Sequence, residues 1–337
     1  MINGQFGVIS KCSVLRLGYI LIIMSSILAA LVHVLAKPIL TNPGGFEFNP
    51  VSLAACVYII NGLFFTPFTR KSLPINKLGT KNLLFLAVIG ISEVIALITY
   101  FSGLKESTAV NASIFSNGEI IFSLLITMLV FKENLRKKEL GPFMMMMFGM
   151  MILPVAYDVY SHGTHMNGLV MGDALIILSG AFYALDVLVC KHVSDKIDAK
   201  RITQITSIVS GGTAICAIFV LNLPFTIQIT SLAPIAIFAI GGTGIATMLF
   251  IISLRLIGGV RTILLFSTNS VLGIIFSHLF LNESITIINM ISVGLTFVGV
   301  YMLRNKLGNE YQNPKTTELE SKPDTNMKNP PEYLYTI

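Results

Sequence analysis

Long apolar runs separated by short polar connections set the pattern of the whole chain. Most runs are about 20 residues long, the length that a helix needs to cross the hydrocarbon core of a bilayer. Because the connections are mostly short, we expect the helices to pack as one bundle with no soluble domain between them. Ten membrane-spanning helices are predicted, at residues 17–36, 50–68, 82–101, 108–131, 139–157, 169–190, 202–222, 232–253, 261–281 and 285–303.

Composition points to the same class. The chain of 337 residues is 54% hydrophobic and 12% charged, with a mean hydropathy of +0.78, whereas about 25% of the residues of a soluble domain are charged. Such a chain cannot cover itself with a solvated surface, so it is predicted to be an integral membrane protein. The cysteines form no CxxC pair, and we expect small buried thiols rather than a disulfide framework or a zinc site. They are Cys12, Cys56, Cys190 and Cys216.

The positive charges give the expected orientation. Of the 23 Lys and Arg residues, all but Lys37 and Lys105 fall on one side of the predicted bundle, the side of the N-terminus. Cytoplasmic segments carry such an excess, so both termini are predicted to be cytoplasmic, with a short segment at 1–16 and a disordered tail at 305–337. The net charge of +6 thus follows from topology, and no nucleic-acid partner is expected. No organelle signal is evident, which favours the plasma membrane.

An internal repeat divides the chain into two units. Shifted by 150 residues, "GLKESTAVNASIFSNGEIIFSLLITMLVFKENL" falls on "SLRLIGGVRTILLFSTNSVLGIIFSHLFLNESI", and Glu133 meets Glu283. Shifted by 154, "GYILIIMSSILAALVHVLAK" falls on "GDALIILSGAFYALDVLVCK". The first five helices, within 17–157, therefore resemble the last five, within 169–304. The first helix is a structural member of the repeat and not a cleaved signal.

The second unit is predicted to be inverted in the membrane, because each unit has an odd number of helices. The charges agree: "VFKENLRKKEL" is rich in Lys and Arg, and its counterpart "LFLNESITIINM" has none. The predicted fold is therefore an all-α integral membrane protein of ten transmembrane helices, arranged as two inverted five-helix repeats. Inverted repeats are a transporter architecture in which the substrate binds near the midplane and rocking of the two units gives alternating access.

The fourth helix of each unit resembles a known family, the drug/metabolite transporter superfamily in its EamA-domain form. The resembling segments are "GLKESTAVNAS" with "LLITMLVFKENL", and "SLRLIGGVRTI" with "IIFSHLFLNESI". The likeness extends over roughly 16–304. It implies gradient-driven transport of small metabolites such as amino acids, amines or related compounds, with efflux as the expected direction.

One feature departs from the family pattern. A proline often follows a glutamate early in this helix. Here Ile120 follows Glu119, and Ser270 takes the same place in the second unit. The missing prolines remove an expected kink, so the helix geometry of the family is not carried over to this chain.

Ionisable side chains inside apolar helices are the first candidates for a binding site. Burying one in hydrocarbon costs about 2.5–3.5 kcal/mol or more, so it usually faces a cavity or a partner. Tyr100 shares a helix face with Glu93. Tyr183 shares one with Asp186. The ionisable candidates for substrate binding or proton transfer are His33, Glu93, Glu119, Asp186 and Arg261.

Uncharged polar residues extend the candidate site. The fourth helix places Ser116, Glu119 and Ser123 on one face, and Asn269 is the counterpart of Glu119 in the ninth. The two stripes occupy equivalent faces and are predicted to face a common cavity. The uncharged candidates are Tyr100, Ser116, Asn117, Ser123, Tyr183 and Asn269.

Each candidate also has a structural interpretation. The polar stripes could serve close helix packing with interhelical hydrogen bonds. Glu93 and Glu119 could bond to neighbouring helices rather than bind a cation or carry a proton. His33 and Asp186 could be solvated at the interface, and Arg261 could snorkel to the surface. Glu283, at a helix end, is expected to be solvated or to cap a helix.

Other function classes find less support. The loop "YDVYSHGTHMNG" holds Asp158, His162 and His165, but three ligands in a flexible loop meet rarely by chance, so neither a metal nor a cofactor is expected. The chain has no HExxH, GxSxG, P-loop or Asp-rich diphosphate motif of a membrane-embedded enzyme. A receptor or scaffold would not require polar midplane faces, and a channel is a variant of the transporter class. The expected partners are a small-molecule substrate, the lipid bilayer and a proton or other coupling ion, and nothing in the sequence indicates an oligomeric state.

Overall fold

The computed structural model describes residues 11–41, 48–70, 72, 74–131, 137–152, 168–225 and 229–310. This part of the chain is helical and contains no strand. The prediction of an all-helical fold is confirmed. The loop histidines His162 and His165, and the tail beyond residue 310, lie outside the described residues.

Two similar runs of helices make up the bundle. The first run is α1 Lys11–Leu40, α2 Pro50–Phe65, α3 Thr80–Glu106, α4 Ala109–Phe115, α5 Gly118–Phe131 and α6 Lys137–Ile152. The second is α7 Gly168–Ser194, α8 Ala199–Val220, α9 Ile229–Ile237, α10 Ala246–Ile257, α11 Gly259–Phe266, α12 Thr268–Leu281 and α13 Ile287–Glu310. A π-helical segment, Phe238–Ile245, joins α9 to α10.

Six segments are long and apolar enough to cross a membrane, by length and composition. They are Leu15–Leu40, Thr80–Glu106, Met171–Ser194, Ala199–Val220, Leu232–Ile257 and Arg261–Leu281. Shorter apolar helices occupy Pro50–Phe65, Leu140–Met150 and Ile287–Met302. The count of ten crossings therefore stays a prediction.

Several boundaries differ from the sequence-based expectation. Helix α1 begins at Lys11, inside the segment expected to precede it, and α13 continues to Glu310, inside the expected tail. Hydropathy marks where an apolar run ends, and a helix can continue into polar sequence beyond it. Cys216 is exposed rather than buried, whereas Cys56 and Cys190 are buried free thiols.

Local sequence explains where several helices start and stop. Asn49 caps α2 by accepting the N–H of Val51 at 2.9 Å, next to a proline at the first helical position. Thr108 caps α4 by accepting the N–H of Asn111 at 3.0 Å. Gly258, with φ of +83°, ends α10 so sharply that α11 begins at the next residue.

The first helix of each half packs against helices of the other half. Helix α7 packs against α3 and α5, and its counterpart α1 packs against α10 and α12. Two further pairs, α2 with α8 and α6 with α13, join counterparts to each other. At one contact the backbones touch: a Cβ on Gly103 would lie 2.5 Å from the carbonyl oxygen of Gly172. The two halves therefore interleave in the way that a two-fold related repeat requires.

Both helices that carry the polar stripes are broken, although neither has a proline there. Between α4 and α5, the N–H of Ile120 bonds to the carbonyl of Asn117 at 3.0 Å. Between α11 and α12, the N–H of Ser270 bonds to the carbonyl of Ser267 at 3.2 Å. These tight turns occupy equivalent positions under the shift of 150. Both helices are therefore interrupted at these positions although the prolines are missing, and the size of any kink stays untested.

A serine hydroxyl bonds back to the preceding turn at each break. Ser116 donates to the carbonyl of Ser113 at 2.7 Å, and Ser267 donates to the carbonyl of Leu264 at 2.7 Å. Hydroxyls that bond back to the preceding turn compete with the helical ladder and bend helices. Such a bond is not sufficient for a break, because Ser179 donates to the carbonyl of Ile176 at 2.6 Å inside the continuous helix α7.

Candidate functional site

A cavity of about 160 Å³ lies in the middle of the bundle, between the two halves. Its walls come from α1, α2, α3 and α5, from α7, α10, α11 and α12, and from the π-helical segment. Eight of the eleven residues proposed from sequence line it: His33, Glu93, Tyr100, Ser116, Glu119, Tyr183, Asp186 and Asn269.

The other three candidates lie elsewhere. Asn117 and Ser123 are buried but do not line the cavity, and Asn117 instead takes part in the turn between α4 and α5. Arg261 is half-buried near the start of α11, also away from the cavity lining. Ser123 lies one turn beyond Glu119 on the same helix, α5, and the cavity lining includes Glu119 but does not extend to Ser123.

Three carboxyl groups share the cavity, each from a different helix. Glu93 comes from α3, Glu119 from α5 and Asp186 from α7, and Asp186 interacts electrostatically with both glutamates. Among the described residues that line the cavity, none is a lysine or an arginine. Buried carboxylates need a compensating positive charge or a proton. This site therefore suits a cation, a proton or both.

A glycine in α7 positions Glu119. A Cβ on Gly180 would lie only 2.7 Å from the backbone nitrogen of Glu119, so only glycine allows α7 to approach the start of α5 this closely. Tyr183, less than one turn further along α7, then reaches the same cavity as Glu119.

His33 and Tyr100 form a polar pair across the cavity wall. Nδ1 of His33 is hydrogen-bonded to the hydroxyl of Tyr100, which joins α1 to α3. His33 is 5% exposed, so it is not the solvated interfacial side chain that its sequence position allowed. Its Nε2 has no hydrogen-bond partner among the described residues.

Sequence reasoning missed several lining residues. Tyr58 donates from its hydroxyl to the backbone carbonyl of Glu93 at 3.1 Å, and Thr247, Phe250 and Phe266 complete part of the wall. Tyr58 had a usable signal, since it is a polar-tipped side chain in the middle of the apolar run "LAACVYIING". The phenylalanines had none, because phenylalanine in an apolar helix is ordinary.

Comparison with known proteins identifies the family. Two stretches, residues 16–154 and 170–305, match the EamA-like transporter family. The chain belongs to that family. An uncharacterized transporter of Methanothermobacter thermautotrophicus is 29% identical over 300 residues, which cover 85% of each chain. A solved crystal structure with 16% identity and a TM-score of 0.60, covering 90% of this chain and 100% of that one, shares the fold.

The family match confirms the resemblance seen in the sequence. This EamA-like transporter is a multi-pass integral membrane protein, and the family model matches it once in each half. The exact limits of the two repeats and of the terminal segments stay predictions.

A second polar group, the end cluster, ties this EamA-like transporter together at one end of the bundle. Asp173 is fully buried and accepts hydrogen bonds from the hydroxyl of Ser107 and, at 3.2 Å, from the amide of Asn111. Asn289 donates to the side-chain oxygen of Asn111 at 3.1 Å. The end cluster consists of Lys37, Ser107, Asn111, Asp173, Glu283 and Asn289.

Two of the charged side chains of the end cluster, Lys37 and Glu283, complete helix ends. Nζ of Lys37 donates to the carbonyls of Leu104 and Lys105, at 2.8 and 3.0 Å, at the end of α3. Glu283 accepts the first N–H groups of α4, from Ala109 at 3.0 Å and Val110 at 2.8 Å. Capping, one of the two roles expected for Glu283, is what the structure shows, and the capped helix belongs to the other repeat.

Proposed function

We propose that this transporter is a secondary-active carrier of small metabolites that works by alternating access around the central cavity. The observation that carries the proposal is the cavity itself, because both halves of the bundle supply its walls and its polar residues. Amino acids, amines or related compounds are the proposed substrates, efflux is the direction, and a proton or another ion is coupled to transport. The proposed location is the plasma membrane, with both termini in the cytoplasm.

The end cluster supports a carrier with gated access. Leu104, bonded by Lys37, lies about 16 Å along α3 from Glu93, at a rise of about 1.5 Å per residue. The end cluster thus joins helices of both halves just beyond one end of the cavity. By the predicted topology this is the outer end. A carrier needs such ties to be made in one conformation and released in the other.

The competing classes explain less of the geometry. A receptor or scaffold has no use for a carboxyl-lined cavity between two repeats. A membrane-embedded enzyme needs reactive motifs that the sequence lacks. A channel would conduct ions without occlusion, and its steady conductance across a planar bilayer would contradict a carrier.

Two-sided accessibility of the cavity tests the proposal without knowledge of the substrate. In a variant without the native cysteines, Thr247→Cys places one thiol in the cavity wall. A membrane-impermeant maleimide is then applied to right-side-out and to inside-out vesicles. We expect labelling from both sides, since the cavity opens to each in turn. Labelling from one side only, under all conditions, would rule out alternating access.

A further inference from the structure

We propose that the substrate of this site is a small organic monocation whose charge is held by Glu93. The inference rests on the proposed carrier function and narrows its proposed substrates, which were amino acids, amines or related compounds, to cationic amines. It draws on the charge of the wall, on buried atoms that lack partners, on the aromatic surface and on the size of the space.

The charge of the residues that line the cavity excludes most other classes of substrate. Three carboxyl groups line the cavity, and its described lining contains no lysine or arginine. An anion would be repelled, and the carboxylate of a zwitterion would find only the imidazole of His33 as a potential basic partner. A cation is the class whose charge this lining complements.

Buried polar atoms that lack a hydrogen-bond partner indicate where the charge of the cation is bound. Oε2 of Glu93 is buried and has no hydrogen-bond partner among the described residues, while the hydroxyls of Thr206 and Ser210 interact with the same carboxyl group. An orphaned buried acceptor costs free energy that a bound donor or cation recovers. Nε2 of His33 is orphaned in the same wall, so it offers a second polar point to a ligand. Glu93 lies near the middle of α3, at the depth where a carrier holds its substrate.

The rest of the wall suits the apolar body of an organic cation. Tyr58, Tyr183, Phe250 and Phe266 line the cavity together with Leu97. Tyrosine and phenylalanine faces attract cations, more strongly where water is excluded. Tyr58 also bonds to the backbone of Glu93, which keeps an aromatic ring beside the carboxyl group.

An inorganic ion fits the geometry less well. In the described part of the chain, no group of three or more His, Cys, Asp or Glu residues is placed to hold a metal ion. An engineered cavity of about 150 Å³ accepts benzene, so a space of about 160 Å³ suits a cation of about six to ten non-hydrogen atoms.

Calorimetric titration of the protein in lipid nanodiscs tests the substrate class. The probes are choline and benzylammonium as monocations, 3,3-dimethylbutan-1-ol as the neutral isostere of choline, and glycine betaine as a zwitterion of similar size. We expect saturable binding of at least one monocation and none of the neutral or zwitterionic probes.

Cation binding by variants of Glu93 tests whether this residue holds the charge of the substrate. Glu93→Gln keeps the size of the side chain and removes its charge, so cation binding should weaken about tenfold or more. Glu93→Asp keeps the charge and should retain binding within a few-fold. Glu106→Gln is the matched control, because it removes the same charge from an exposed position on the same helix. It should bind the monocation as the wild type does.

Three results would overturn the inference: no binding of either monocation, equal binding of the neutral or zwitterionic probe, or unchanged binding by Glu93→Gln. The labelling of Thr247→Cys keeps the two proposals apart. Two-sided labelling without cation binding removes the substrate class and leaves the carrier. Cation binding with one-sided labelling removes the carrier and leaves a cation-binding site.

Discussion

The carboxylate of Glu283, from the second repeat, accepts the backbone N–H of Val110 at 2.8 Å in the first repeat. A second bond, from the N–H of Ala109, makes the contact bidentate. An anion at a helix N-terminus satisfies free N–H groups and interacts favourably with the helix dipole. One side chain therefore ties the connection between α12 and α13 to the start of α4.

Removing this charge should loosen that end of the bundle. Glu283→Gln keeps one acceptor oxygen and loses the negative charge, so we expect a loss of about 1 kcal/mol in stability. Thermal unfolding in detergent measures it. Asp195→Asn, which removes a carboxylate from an exposed position after α7, serves as the control and should unfold like the wild type. Equal stability of the Glu283 variant would show that the tie is dispensable.

The close approach of α7 to α5 should tolerate no added atom. Gly180→Ala would place a Cβ 2.7 Å from the backbone nitrogen of Glu119, and backbone cannot move aside as a flexible side chain can. We expect a destabilisation of about 1–3 kcal/mol, measured by thermal unfolding, together with reduced transport. Gly212→Ala is the matched control, because nothing lies within 4 Å of its Cβ. Similar behaviour of the two variants would contradict the packing argument.

Glu119 should matter for transport more than for folding. Glu119→Gln preserves shape and removes a carboxyl group from the cavity wall, so we expect flux to fall about tenfold while membrane insertion stays normal. Flux of a binding monocation into proteoliposomes measures the effect, and size-exclusion chromatography checks the fold. Wild-type flux of this variant at several pH values would remove Glu119 from the mechanism.

Much of the cavity was predictable because burying a charge in hydrocarbon is costly. That single rule selected Glu93, Glu119, Asp186 and His33, and all of them line the cavity. The same rule selected Arg261, which lies elsewhere because it is near a helix end. Depth along a helix therefore predicts a cavity residue only near the middle of the span.

The end cluster could not be foreseen in the same way. Asp173 and Glu283 lie near helix ends, where a carboxylate in a sequence looks solvated by default. Their burial and capping depend on helices that are distant in sequence. Asp173 accepts a hydrogen bond from Asn111 of α4, and Glu283 caps that same helix. The breaks in the two striped helices were not predicted either, because neither helix has a proline there.

The most direct test of alternating access locks the end cluster and probes the cavity. In the cysteine-free background, Ser107→Cys and Asp173→Cys replace two side chains that are hydrogen-bonded to each other, and Thr247→Cys reports on the cavity. After oxidation of the pair, we expect the impermeant maleimide to label Thr247→Cys from the cytoplasmic side only, and reductant to restore labelling from the outer side. Outer labelling that persists in the cross-linked protein would contradict alternating access gated at this end.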